Sequence, residues 1–108
     1  MKYKHTLNPD EAYRKAWLGR KLSGKRSLKQ ELIILTDPFC SCLYAQKIIK
    51  GRWIDAEDII MTDPACTFDY AFYVIKGKLP DKMHNMMILH AIKNPNDIWV
   101  KEYFKLIK

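Results

Sequence analysis

The sequence lacks the features that mark membrane, secreted and fibrous proteins. No apolar run approaches the ~20 residues that a membrane span needs, and residues 1–15 contain no apolar segment typical of a secretion signal. Three cysteines and four glycines in 108 residues exclude a disulfide miniprotein and a collagen-like repeat. Apolar residues at 48% and charged residues at 29% are ordinary for a globular chain. We therefore expect one cytoplasmic domain over residues 1–108, with reduced thiols and no membrane partner.

Acidic residues are scarce in the N-terminal third of the chain. Residues 1–36 contain nine Lys and Arg against three acids, a net charge of +6, whereas residues 37–108 contain ten against nine. The formal charge of +7 therefore belongs almost entirely to one end of the sequence. Such an uneven basic charge indicates an acidic partner, which is either a nucleic acid or an acidic face of another protein.

A repeat of about 26 residues organises the chain. Residues 37–62 and 63–88 align without a gap, and their identical pairs include Asp37/Asp63, Pro38/Pro64, Cys40/Cys66, Tyr44/Tyr70, Ala45/Ala71, Ile49/Ile75, Lys50/Lys76, Gly51/Gly77 and Asp55/Asp81. A divergent unit over 8–36 precedes them. A capping helix over 94–108, opened by Asn94-Pro95, is expected to follow them, because terminal repeats are usually atypical.

Each unit is predicted to form a pair of helices. Asp37 and Pro38 are residues favoured at a helix start, and apolar residues follow at helical spacing. Gly51 is expected to adopt the left-handed conformation that ends this helix. Asp55 is expected to cap a short second helix, as Asp81 does in the next unit, with segment 59–61 facing inward.

Such helix pairs can bury their apolar sides by stacking on one another. The predicted fold class is therefore all-α, a compact stack of helix-turn-helix pairs that forms a short α-solenoid-like bundle. The apolar periodicity predicts a long helix over 81–93 and a last helix over 97–107.

The repeat also carries a recognisable pattern, DPxxxxxYAxxVIKGRWxxAExxI. It is present as Asp37-Pro38, Tyr44-Ala45, Ile48–Trp53 and Ala56-Glu57, and the second copy departs from it at Leu79 and Met83. In this pattern, residues 27–88 resemble a tandem repeat of uncharacterised proteins of tailed bacteriophages. The resemblance implies a phage origin and helical repeats, and it implies no reaction.

The cysteines are the first candidates for metal binding. Cys40, Cys42 and Cys66 with His84 or His90 could supply four zinc ligands, but their spacing matches no zinc signature. Cys40 and Cys66 occupy the same repeat position, as two core residues would, and cysteine packs as a small hydrophobe. We therefore expect buried, reduced and metal-free thiols.

Methionines beside the two histidines are the other metal candidates. Met83, Met86 and Met87 with His84 and His90 could form a soft copper site. Met86 and Met87, however, align with apolar residues of the preceding unit that helical periodicity assigns to the core. The sequence therefore predicts packing for these methionines, and no metal or cofactor.

Two basic surfaces are the candidate binding sites. The first is a stretch without acids that has aromatic residues interleaved, and its candidate residues are Arg14, Lys15, Trp17, Arg20, Lys21, Lys25, Arg26 and Lys29. The second is a pair of repeat corners, Lys50–Trp53 and Lys76–Leu79, with Arg52, Trp53 and Lys78 as candidates. Both could bind phosphates or an acidic protein, and both could instead be solvated helix surface with Trp17 in the core.

These observations favour a binding protein over an enzyme. The chain has three histidines and no Gly-rich phosphate loop, and no base stands beside a nucleophile in the sequence pattern. The phage resemblance favours a small protein that binds an acidic surface of a host protein and modulates or inhibits a defence or takeover target. DNA or RNA binding through the basic N-terminal third is the alternative, and a small enzyme is the second alternative.

Overall fold

The structure is a computed structural model that describes residues 8–108. Within these residues the chain forms seven α-helices and no β-strand, which confirms the predicted all-α class. The helices are α1 (Pro9–Ser23), α2 (Leu28–Ile34), α3 (Pro38–Tyr44), α4 (Glu57–Ile60), α5 (Pro64–Asp69), α6 (Asp81–Lys93) and α7 (Ile98–Leu106). No helix in the described part of the chain is long and apolar enough to cross a membrane.

Three short segments extend the α-helices. The π-helical segments Ala45–Ile49 and Tyr70–Ile75 continue α3 and α5 without a break, and the 3₁₀ turn Ile54–Ala56 leads into α4. A π-helical segment is wider than an α-helix and is uncommon in ordinary sequences. Its presence at the same place in both units gives α3 and α5 the same C-terminal shape.

The helix starts follow the sequence closely. The Asp37 carboxylate accepts a hydrogen bond from the backbone N–H of Cys40 at 2.7 Å. The Asp63 carboxylate accepts one from Ala65 at 2.9 Å, and a proline follows each aspartate. These two predicted caps are confirmed. At the C-terminal end Asp97 caps α7, which agrees with the predicted last helix over 97–107, and the Asn94-Pro95 pair lies in the segment before it.

The helix ends differ from the prediction at Gly51. Lys50 and Lys76 adopt the left-handed conformation, with φ of 60° and 62°, whereas Gly51 has no positive φ. The π-helical turn explains the difference, because the N–H groups of both Lys50 and Gly51 point at the carbonyl oxygen of Ala45, at 2.8 and 3.2 Å. The chain therefore reverses one residue earlier than an α-helix with a glycine cap would.

The predicted caps at Asp55 and Asp81 are wrong. Asp55 lies inside the 3₁₀ turn, in which the Ala56 N–H bonds to the carbonyl oxygen of Trp53 at 3.0 Å, and α4 has no side-chain cap. Asp81 is the first residue of α6, after Pro80, and it does not cap the helix. Its charge there still favours the helix through the macrodipole.

The core runs along the inner faces of the stacked helices. Its largest fully buried side chains include Tyr44, Tyr70 and Tyr103. Cys40, Cys42 and Cys66 are buried and form no disulfide, as expected. Met83 and Met87 are buried too, but Met86 is 41% exposed, contrary to its expected core position, because it points away from the side of α6 that faces the core.

A polar network forms twice at an interval of 26 residues. In the first, the guanidinium of Arg26 donates two hydrogen bonds to Glu31 at 2.7 and 3.1 Å, and the Tyr44 hydroxyl donates to the same carboxylate. In the second, the network consists of Arg52, Glu57 and Tyr70, with the arginine bonds at 2.6 and 3.0 Å and the tyrosine bond at 2.8 Å. The first network joins α2 to the end of α3, and the second joins α4 to the π-helical segment that follows α5.

Candidate binding groove

A groove of about 320 Å³ lies between α1 and the π-helical end of α3. Its lining residues are Trp17, Arg20, Lys21, Lys47, Ile48 and Lys50, which we call the basic groove. The volume is at the lower end of the range for ligand pockets, so it suits a single side chain or a small anionic group.

One wall of the basic groove is formed by α1, and the other is formed by the π-helical end of α3. Ala12 and Ala16 are buried small residues, and they bring the α1 backbone close to the core. Arg20 and Lys21 follow Trp17 by three and four residues, so they lie beside it on one flank of α1. On the opposite wall Ile48 points into the core, which leaves the exposed lysines at 47 and 50 on the groove side.

Trp17 lies at the surface and not in the core. Its side chain is 42% exposed, and the Lys21 Nζ atom sits 4.5 Å from the centre of the indole ring. This cation–π contact is worth about 0.5–1 kcal/mol at an exposed site and restricts the ring. The exposed indole face with a cation beside it is a surface on which a planar group or an apolar side chain can pack.

The electrostatics of the basic groove favour an anion. None of the residues that line it is acidic, and Arg20, Lys21, Lys47 and Lys50 form no ion pair with any residue of 8–108. Four like charges around one depression create a positive potential that a bound carboxylate or phosphate would relieve. The arrangement can bind an anion beside a flat apolar surface.

The remaining cations of the N-terminal stretch lie outside the basic groove. Arg14 lines a neighbouring apolar recess of about 350 Å³, together with Tyr13, Trp17 and Leu18. Lys15, Lys25 and Lys29 are exposed and line none of the grooves described above. They add to the positive field of this end of the molecule without shaping a site.

Arg26 and Arg52 each pair with a carboxylate of the fold, although their side chains stay 44% and 48% exposed. The hydrogen bonds that Arg26 donates to Glu31 raise the pKa of its guanidinium, and those that Arg52 donates to Glu57 raise the pKa of Arg52. Burial raises the pKa of Glu31, but the hydrogen bonds from Arg26 and Tyr44 outweigh this effect and the pKa lies below its usual value. Both guanidiniums are thus already paired with a carboxylate.

Trp53 is a core residue, contrary to its predicted place in a binding surface. Its side chain is 4% exposed, and its ring centroid is 4.8 Å from that of Tyr44. Its backbone N–H donates to the Tyr70 hydroxyl at 2.8 Å. Trp53 is buried because the reversal at Lys50 turns the chain back over the helix. Lys78, at the second repeat corner, is exposed but lines none of the grooves described above.

Lys47 and Ile48 are groove residues that the sequence did not indicate. Lys50 was considered only as part of a repeat corner. All three lie at least 26 positions from Lys21 in the chain, and only the packing of α3 against α1 brings them to it. Charge clustering identified Arg20 and Lys21 because they are neighbours in sequence. No local pattern could have predicted that Lys47, Ile48 and Lys50 lie opposite them in the fold.

The three thiols are buried, and burial disfavours the thiolate form that binds metals. Burial, together with the charge of nearby aspartates, raises the pKa of Cys42 and of Cys66 to about 12. Among residues 8–108 no three His, Cys, Asp or Glu side chains come together in a way that could hold a metal ion. Cys40 donates a hydrogen bond from Sγ to the Asp10 carboxylate at 3.1 Å, which links α1 to α3.

Comparison with known proteins gives no relative for this chain: no family model, no curated protein and no solved structure matches it significantly.

Proposed function

We propose that this chain is a non-enzymatic phage protein that binds an acidic surface of a host protein through the basic groove. In the cytoplasm of the infected cell it would modulate or inhibit a defence or takeover target. The phage origin rests on the repeat pattern over residues 27–88. The binding site rests on one observation, which is the cluster of Arg20, Lys21, Lys47 and Lys50 around Trp17 without an acidic neighbour.

The dimensions of the basic groove favour one or two acidic side chains as the ligand. A carboxylate between Lys21 and Lys47 would gain charge-assisted hydrogen bonds from both ammonium groups. An apolar residue beside that carboxylate would pack on the half-exposed Trp17 ring, and such aromatic anchors carry much of the energy of protein interfaces. The exposed Lys15, Lys25 and Lys29 would raise the association rate with an acidic protein through long-range attraction.

Single-stranded nucleic acid is the second candidate ligand, because the Trp17 indole is exposed among cations. A base could stack on that ring while the lysines neutralise the adjacent phosphates. A small enzyme remains the third possibility, but the groove lining contains neither a histidine nor a carboxylate that could act as a base.

The proposal is tested with two variants that lose the same charge. In the groove variant Arg20, Lys21, Lys47 and Lys50 are changed to Gln. In the control variant the four exposed lysines Lys78, Lys101, Lys105 and Lys108 are changed to Gln. Proteins captured from nuclease-treated bacterial lysate by the wild type identify a partner, whose affinity for each purified variant is then measured by biolayer interferometry.

We expect the groove variant to bind the partner at least about tenfold more weakly, mostly through a lower association rate, with less dependence on salt. The control variant should stay within about twofold of the wild type. Equal weakening by both variants would mean that only net charge matters and would refute the groove.

Trp17→Ala separates the two ligand classes. Stacking of a base predicts a loss of about 1–3 kcal/mol in binding to a labelled single-stranded oligonucleotide, with little change in melting temperature. Tight oligonucleotide binding that survives ~0.2 M salt would favour the nucleic-acid function over the protein partner.

A further inference from the structure

The outward face of α6 presents an exposed aliphatic surface. Its exposed aliphatic side chains are Met86, Ile88, Leu89 and Ile92, which are 41%, 38%, 55% and 72% exposed, and the exposed Asn85 lies among them. Residues 83–92 include no Lys, Arg, Asp or Glu, although 29% of the chain is charged. Such a combination of exposed aliphatic side chains and missing charge is unusual for a surface helix, whose outer side is normally polar.

The position of α6 leaves this surface uncovered by the rest of the described fold. Its inner side, with Met83 and Met87, packs against α5 and α7. The opposite side has no helix of residues 8–108 over it. An outer helix of a stacked helical fold needs a polar outer face to stay in water. The face of α6 is built instead like one that packs against another helix.

Charge at the ends of α6 indicates which helix could cover it. Asp81 begins the helix and Lys93 ends it, both are exposed, and neither forms an ion pair within residues 8–108. Lys82 is already paired with Asp58 at 2.8 Å. A second α6 that runs antiparallel would bring its Lys93 to the Asp81 end, and its Asp81 to the Lys93 end.

Other features of the charge distribution favour the same occupant. Antiparallel helices also oppose their macrodipoles favourably. The excess positive charge of the chain lies in residues 1–36, so two copies can meet at the uncharged segment 83–92 without placing like charges in contact. A parallel arrangement would instead place Lys93 beside its own copy.

We infer that two copies of this chain associate as a two-fold symmetric dimer in which the outward faces of the α6 helices pack antiparallel. Met86, Ile88 and Leu89 lie nearest the centre of the contact, Ile92 lies toward its rim, and Asp81 and Lys93 form two ion pairs between the copies. The interface is isologous, so it closes on itself and does not grow into a filament. The dimer carries two basic grooves, which would strengthen binding to a partner with two acidic sites.

The first test is the mass in solution. Sedimentation velocity of the full chain over about a hundredfold range of concentration should show a monomer–dimer equilibrium. Leu89→Lys/Ile92→Lys should weaken the dimer by at least about a hundredfold, because each change places a charge within the apolar contact. The matched control Leu18→Lys/Leu22→Lys changes two exposed leucines of α1 in the same way and should leave the equilibrium within about twofold.

A second test addresses the orientation of the helices. Asp81→Lys and Lys93→Asp should each weaken the dimer by about two- to tenfold, and the double swap should restore it. Circular dichroism confirms that each variant is folded. Any of four outcomes would overturn the inference. The wild type could stay monomeric throughout or form larger open assemblies. The dimer could be lost in the α1 control but not in the α6 variant, or the double swap could fail to restore it. Groove binding by a monomer would be unaffected by any of these results.

Discussion

The hydroxyl groups of Tyr44 and Tyr70 lie in equivalent places but make different hydrogen bonds. The Tyr70 hydroxyl accepts from the Trp53 N–H at 2.8 Å and donates to Glu57 at 2.8 Å. The Tyr44 hydroxyl donates to Glu31. Both carboxylates also bind an arginine, so neither depends on its tyrosine alone. Tyr70 differs from Tyr44 because its hydroxyl is the acceptor for the buried backbone N–H of Trp53.

This difference predicts unequal costs for two identical substitutions. Tyr70→Phe should lower the free energy of unfolding by about 2–3 kcal/mol, because it leaves the buried Trp53 N–H without an acceptor. Tyr44→Phe should cost about 1 kcal/mol, the net value of one hydrogen bond. Urea denaturation at neutral pH measures both values, with Tyr73→Phe at an exposed site as the control. Equal costs for Tyr70 and Tyr44 would contradict the assigned network.

The three thiols should be unreactive in the folded protein. Burial is the main reason that the pKa of Cys42 and of Cys66 is raised to about 12, and it raises the pKa of Cys40 further, aided by hydrogen bonds from the thiol to Asp10 and Asp37. The thiolate is the reactive form, so all three cysteines should react with Ellman's reagent on the order of a hundredfold more slowly in the native than in the unfolded chain. One thiol that reacts as fast as free cysteine in the native protein would show that its helix opens.

At the scale of the helices, the left-handed lysines are the feature that costs stability. Lys50 and Lys76 have φ of 60° and 62°, a conformation that glycine adopts without penalty. Glycine is the next residue in both units but does not occupy the strained position. Lys50 lines the basic groove, so its side chain places a cation there, which a glycine could not do.

Glycine at these positions should therefore stabilise the protein. Lys76→Gly and Lys50→Gly should each raise the free energy of unfolding by about 0.5–1 kcal/mol, since relief of the strain exceeds the added entropy of the unfolded chain. Only Lys50→Gly should weaken partner binding, which would show that stability is given up for a groove cation. Thermal melts and binding measured on the same preparations test this. A loss of stability in both variants would mean that lysine contacts outweigh the strain.

Local signals decided which parts of the fold were predictable. The caps at Asp37 and Asp63 act on N–H groups two or three residues away, so the sequence around them was sufficient. The left-handed residue at Lys50 was missed because a π-helical turn has no simple sequence signature. The burial of Trp53 and the second wall of the basic groove depend on contacts between distant segments, which charge and periodicity along the chain cannot specify.

At the scale of the whole molecule, partly exposed ion pairs link folding to pH. Glu31 is buried and joins Arg26 before α2 to Tyr44 at the end of α3. Asp97 caps α7 and pairs with His90 of α6 at 3.1 Å. Burial raises the pKa of Asp97, but the hydrogen bonds from His90 and from backbone N–H groups outweigh it and the pKa is lowered. Both carboxylates therefore hold neighbouring helices together in their charged form.

Acid should therefore destabilise the fold, in part through Glu31. A carboxyl with a lowered folded-state pKa adds stability above its unfolded pKa, ~4.3 for glutamate, and this stability is lost as the pH falls through the lower folded value. Asp69 acts in the opposite sense, because burial and the charge of Asp63 raise its pKa. The wild type should melt at a lower temperature at about pH 3 than at about pH 6.

Glu31→Gln should lose stability at about pH 6 and show a smaller change in melting temperature between the two pH values than the wild type. Arg26→Gln removes the partner of the same carboxylate, so it should flatten the pH dependence in the same direction. Thermal melts followed by circular dichroism from about pH 3 to about pH 7 measure the three curves. Parallel curves for the wild type and both variants would show that the Arg26–Glu31 pair does not link folding to protonation, and the acid sensitivity would then have to come from Asp97 at the α6–α7 contact.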